Sequence, residues 1–161
     1  MEELATYYRV MTTDKEQAIE KFLTDNSGRF KNIIPSTTKS YKEDVGRCMV
    51  KDCNNTKALH FAHSHREGRR MIIKNIIVSN ELMKEKVGGY EFHASMIFEK
   101  YRAYHNDPKC QYLHLILCKG HHQGKQGGYD SVTDKDSWLR ENIDFSIKEG
   151  LDPKYKGSSD A

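Results

Sequence analysis

Every one of the eight histidines and four cysteines in this 161-residue chain lies between Cys48 and His122. Cys48-Met-Val-Lys-Asp-Cys53 puts two thiols on a tight loop, and Cys118-Lys-Gly-His121 offers a thiol and an imidazole at the spacing of a zinc knuckle. Together they supply four soft or borderline donors for tetrahedral Zn²⁺, at about 2.3 Å for sulfur and about 2.0 Å for nitrogen. A closed four-ligand site of this kind is structural. Unrelated buried thiols are the competing reading, because a first pair spaced by four residues is less diagnostic than one spaced by two. Cys110 is the odd thiol, and its place before an apolar run suggests packing.

A second constellation is Leu59-His-Phe-Ala-His-Ser-His65, together with His122, the neighbour of the presumed ligand His121. Adjacent histidines on one short helix point to different sides, so one can face a structural metal and the other a second site. A neutral imidazole can take a proton from water near neutral pH, and another can hold a divalent cation that stabilises charge developing on a phosphate. Arg66, Arg69, Arg70 and Lys74 follow closely and could position phosphates, although a solvated basic loop reads the same way.

The elements that must position these groups are short. Residues 5–12 are β-prone, and Asp14 caps a helix through about Leu23 with Ala18, Ile19, Phe22 and Leu23 on one face. The polar stretch 35–46 reads as a connection. The alternation of Leu59, Phe61 and His63 predicts a strand leaving the first cysteine pair, and 71–79 is β-prone by composition. Ser79 is expected to cap a short helix to about Val87, with a longer one from Tyr90 to Tyr104. Tyr112 to Leu117 is an apolar run that delivers Cys118, and a last helix is expected from about Asp134 to Glu149. The final ten residues read as loose.

Cys48-x4-Cys53, then Leu59-His-Phe-Ala-His63, then Leu117-Cys118-Lys-Gly-His121-His122-Gln-Gly-Lys125, resembles the HNH endonuclease family over roughly residues 45–126. The resemblance implies an α+β fold, a small ββα-metal finger stabilised by zinc with flanking helices. That nuclease domain (45–126) lies between an N-terminal arm (1–44) that could recognise DNA or simply pack and a C-terminal helix with a tail (127–161), and the resemblance says nothing about either flank. It implies that His63 is the general base activating water, and that His122 holds a catalytic Mg²⁺ or Mn²⁺ on the scissile phosphate. Cys48, Cys53, Cys118 and His121 would hold structural Zn²⁺, with His121 where the family usually has cysteine, and Lys125 would contact phosphate. The asparagine that braces the base-bearing loop in many relatives would be Asn75 here, with His114 its rival. The main departure is Ala62, where many relatives place a metal-binding aspartate. On an extended strand His65 shares a face with His63 and His60 points the other way, so His65 is the expected replacement ligand.

Length fits one domain with appendages. The formal charge of +3 is uneven: residues 45–125 carry 14 Lys/Arg against 7 Asp/Glu, whereas both flanks are net acidic. The stretch that holds the ligands is therefore the one that attracts a polyanion. No apolar run approaches the roughly 18 residues of a membrane span, and Met-Glu-Glu-Leu-Ala lacks a secretory start. The expectation is an intracellular, metal-dependent DNA endonuclease that nicks one strand per finger, a double-strand cut requiring a homodimer or two visits. The alternative from another class is a zinc-stabilised nucleic-acid binding module without cleavage, which Ala62 permits.

Overall fold

The computed structural model describes residues 7–156. In chain order it runs through β1 (Tyr7–Val10), α1 (Lys15–Asp25), α2 (Ser27–Thr37), α3 (Lys39–Val45), β2 (Leu59–Ala62) and α4 (Arg69–Ser79). It continues with β3 (Met83–Lys86), β4 (Gly89–His93), α5 (Ala94–Asn106), α6 (Pro108–Gln111), β5 (Leu115–Cys118), α7 (Lys119–Gln123), α8 (Lys135–Asn142) and α9 (Ser146–Glu149). The fold is α+β, and among the described residues no helix is long and apolar enough to cross a membrane. The elements group into two compact units, one from residues up to 36 with 68–105, the other from 37–67 with 106 onward.

The first unit packs α1, α2, α4 and α5 against an antiparallel sheet of order β1-β4-β3. Asp14 caps α1 as expected, its carboxylate accepting from the Gln17 amide at 3.1 Å. Phe22 stacks on Phe92 with ring centroids 4.6 Å apart, and Ile72, Ile73 and Ile77 close the core beside them. The segment 71–79, β-prone by composition, is a helix. Ile72, Ile73, Ile76 and Ile77 recur at intervals of one, three and four, which is one helical face, and burial of that face overrides the preference of branched side chains for strands.

The helix expected after Ser79 is a hairpin instead. Glu81 enters the left-handed region (φ 53°), and Gly88 at φ 77° turns β3 into β4, so Met83 pairs with Phe92 and Glu85 with Tyr90. The expected helix from Tyr90 accordingly begins at Ala94. Helix α3 and the end of α2 occupy the stretch 35–46 expected to be a connection. The last expected helix is broken at Ile143, which bridges to Val50 in extended conformation.

The second unit is built around the antiparallel pair β2–β5, with Leu59 opposite Cys118, His60 opposite Leu117 and Ala62 opposite Leu115. Met49 donates its amide to the Ile116 carbonyl and accepts from the Asp144 amide at 2.9 Å each, which ties the first cysteine segment and the C-terminal region to β5. Leu115 to Cys118 is buried throughout, with Tyr41, Phe61, Trp138 and Tyr155 among the large side chains of this core.

Candidate metal centre and the histidines around it

The first cysteine loop closes through the Cys53 amide, which donates to the Val50 carbonyl at 3.1 Å while Asp52 takes a left-handed φ of 64°. Asp is one of the few residues that tolerates this conformation, because its short polar side chain bonds locally. The turn folds Cys53 back beside Cys48 despite the four intervening residues. Opposite it, β5 ends at Cys118 and α7 begins at once, which carries His121 over the same point. The result is a set of four donors, Cys48, Cys53, Cys118 and His121, all within 4.8 Å of one another. His121 Nδ1 lies 3.5 Å from Cys48 Sγ and 3.3 Å from Cys118 Sγ. Three thiols and an imidazole this close can hold a metal ion such as zinc. All four cysteines are free thiols, and Cys110 lies outside the cluster.

Electrostatics in the cluster are divided. Burial pushes the Cys48 thiol well above the ordinary value. Burial acts the same way on Cys118, but the His121 amide, the two neighbouring thiols and the Gly120 amide outweigh it, and the Cys118 pKa falls. The amides at the start of α7 thus support negative charge on the Cys118 sulfur.

His122 turns away from the thiols. Its Nδ1 lies 3.0 Å from His60 Nδ1, and its Nε2 lies 3.3 Å from Asp130 Oδ2. Burial lowers the pKa of both histidines, with Asp130 opposing, so each is a neutral imidazole near neutral pH. Asp130 reaches this place because the chain after α7 folds tightly back. Gly124 donates to the Gly120 carbonyl at 3.0 Å and Gly128 to the Gly124 carbonyl at 3.1 Å. A Cβ at Gly124 would meet Gly120 O at 2.3 Å, and one at Gly128 would meet Gly124 O at 2.5 Å. Only glycine permits so close a return.

His63 follows β2 and is half-buried, its ring against Phe61 and against His114, with centroids 5.2 and 5.1 Å away. His114 is fully buried and accepts from the Ser64 amide through Nδ1 at 3.0 Å, while its carbonyl accepts from Tyr41 Oη at 2.9 Å. It therefore fixes the backbone next to His63. Asn75 lies exposed on α4 in the other unit.

His65, the expected replacement ligand, is placed otherwise. Its backbone amide donates to Tyr129 Oη at 2.7 Å, and the same hydroxyl lies 2.8 Å from Nδ1. Nε2 faces Asp136 Oδ1 at 3.0 Å. Both nitrogens are thereby engaged. Among the described residues, the thiol cluster is the only set of three or more such donors, and His65 is not brought together with His122 in one. The strand reasoning failed because the chain leaves β2 after Ala62, and His65 begins a 3₁₀ turn.

The basic residues are dispersed. Arg66 bonds Asp136 at 2.6 Å through Nη2, and that guanidinium, acting first by its hydrogen bond, holds the Asp136 carboxyl below the usual range. Arg69, Arg70 and Lys74 belong to α4 in the first unit, with Arg70 on Glu20 and Lys74 on Glu16 at 3.0 Å. Lys125 is exposed just past α7. Tyr129, Asp130 and Asp136 are the residues that sequence reasoning missed. The usable signal was the run Gly124 to Gly128, which returns the next acid, Asp130, to the histidine eight positions before it. Comparison with protein-family models, curated proteins and solved structures finds no match for the chain.

Proposed function

We propose that the second unit is a zinc-stabilised, HNH-type ββα-metal finger that hydrolyses phosphodiester bonds in DNA. One observation carries the reading. β2 and β5 pair antiparallel, a short helix follows β5 at once, and the adjacent histidines of that helix divide between two jobs: His121 joins the three thiols, while His122 joins His60. Structural Zn²⁺ suits the thiol set, because thiolates and imidazole are its preferred donors. His63, held against His114 by a braced backbone, accepts the proton of a water molecule as that water attacks phosphorus. The P–O bond to the 3′ oxygen breaks and that oxygen takes up a proton from solvent, leaving 5′-phosphate and 3′-hydroxyl ends. His122 would hold a divalent cation, which would supply positive charge for the phosphate and the leaving oxygen. Lys125 adds a phosphate contact at the edge of the same helix.

Ala62 favours a second reading, a nucleic-acid binding finger without cleavage, because alanine leaves the cation one ligand short. Zinc-loaded protein incubated with supercoiled plasmid in Mg²⁺, Mn²⁺ or EDTA separates the two. The nuclease reading expects open circles in a divalent metal and none in EDTA. Plasmid left supercoiled in every metal, with retarded mobility showing that it is bound, would establish the second reading.

A further inference from the structure

We infer that His60 supplies the cation ligand that Ala62 cannot, so that His60 and His122 chelate one divalent transition ion through their two Nδ1 atoms, with Asp130 orienting His122. This rests on the proposed nuclease reading for its purpose, but its geometry stands apart from it. Residues two apart on a strand share a face, so a ligand missing at position 62 can come from position 60 without any change in the strand. The structure puts His60 on the side of β2 where α7 delivers His122, and the two Nδ1 atoms are 3.0 Å apart. Two nitrogens each about 2.1 Å from an octahedral ion stand roughly 3.0 Å from one another, so the observed separation suits one shared ion, and a modest rotation of the rings, whose centroids are 5.2 Å apart, turns both lone pairs toward it.

Asp130 touches the far nitrogen of His122, Nε2, at 3.3 Å. It therefore lies outside the coordination sphere and does what carboxylates do beside metal-bound histidines, fixing the tautomer that leaves Nδ1 free to ligate. The site is reachable, since the His122 side chain is 14% exposed and that of Asp130 53%. Two imidazoles without a carboxylate also set a preference. Mg²⁺ demands oxygen donors, whereas imidazole suits first-row transition ions, so Mn²⁺, Co²⁺ or Ni²⁺ should bind where Mg²⁺ does not compete.

The test titrates full-length, zinc-loaded protein with Mn²⁺ alone, read by electron paramagnetic resonance. One Mn²⁺ per chain is expected beyond the zinc, resisting equimolar Mg²⁺. Its affinity should fall by roughly tenfold or more in His60→Ala and His60→Gln, and by roughly tenfold in Asp130→Asn. In the wild type, the electron spin echo modulation of the bound Mn²⁺ should carry the signature of two directly coordinated imidazole nitrogens, a readout that needs no variant to fold. Wild-type affinity in both His60 variants at full zinc content, or modulation from a single imidazole, overturns the inference. Failures are distinguishable. Mn²⁺-dependent nicking undiminished in His60→Ala removes this site and keeps the nuclease, whereas Mn²⁺ bound through His60 with plasmid left intact keeps the site and removes the nuclease.

Discussion

Residue chemistry in this chain is decided by which nitrogen of each histidine is engaged. His121 gives Nδ1 to the thiols, His65 has both nitrogens occupied by Tyr129 and Asp136, and His122 offers Nδ1 to His60 with Nε2 on Asp130. His105 shows the contrasting, purely structural use. It is fully buried at the end of α5, its Nδ1 donates to the Tyr101 carbonyl at 2.9 Å, and burial lowers its pKa despite that bond. A histidine depressed in the folded state stabilises fully above its unfolded pKa of about 6.5, and the stability is lost as pH falls through the lower folded value. The urea midpoint should therefore drop between pH 7.5 and 5.5, and the drop should shrink in His105→Gln. An equal drop in both proteins would assign the acid sensitivity elsewhere. The spacing of Cys48, Cys53, Cys118 and His121 made the donor set legible, because ligand type and interval survive without knowledge of the path between them. The pairing of His60 with His122 did not show, because it depends on where the chain returns after β5.

At the scale of elements, α4 and the β3–β4 hairpin show where local reading gave way to packing. Isoleucine pairs are ambiguous in isolation, since their β preference and their helical interval conflict. The apolar cluster of Phe22, Phe92, Ile97 and Phe98 decides for the helix by burying Ile73 and Ile77, each 1% exposed. Asp14 at α1 and the buried run into Cys118 were legible because a cap and an apolar strand are local signals, whereas α2, which carries Pro35 inside it, was hidden by its own breaker. Truncating Ile73→Ala should cost about 2–5 kcal/mol by lost burial and a residual cavity. Urea denaturation measures this directly. A loss below about 0.5 kcal/mol, typical of surface substitutions, would mean that α4 is not the element whose burial overrides its composition.

At the scale of the molecule, the basic stretch seen in sequence is divided by the fold. Arg69, Arg70 and Lys74 belong to the first unit, where Arg70 pairs with Glu20 and Lys74 with Glu16, while Arg66 is bound to Asp136. The unit with the thiols is built on a small two-stranded sheet, so a metal tying β5 to the first cysteine loop would contribute directly to its folding, whereas the aromatic and isoleucine core of the other unit does not involve those donors. Scaffold and chemistry should consequently separate under substitution. The most direct measurement compares Cys48→Ala and His63→Ala with wild type for zinc per chain, circular dichroism and plasmid nicking in Mn²⁺. His63→Ala is expected to keep one zinc and the native spectrum while losing nicking by a factor of roughly 10² or more, and Cys48→Ala to lose zinc and the fold of its unit together. Nicking at the wild-type rate in His63→Ala, or equal zinc in Cys48→Ala and wild type, would contradict the account.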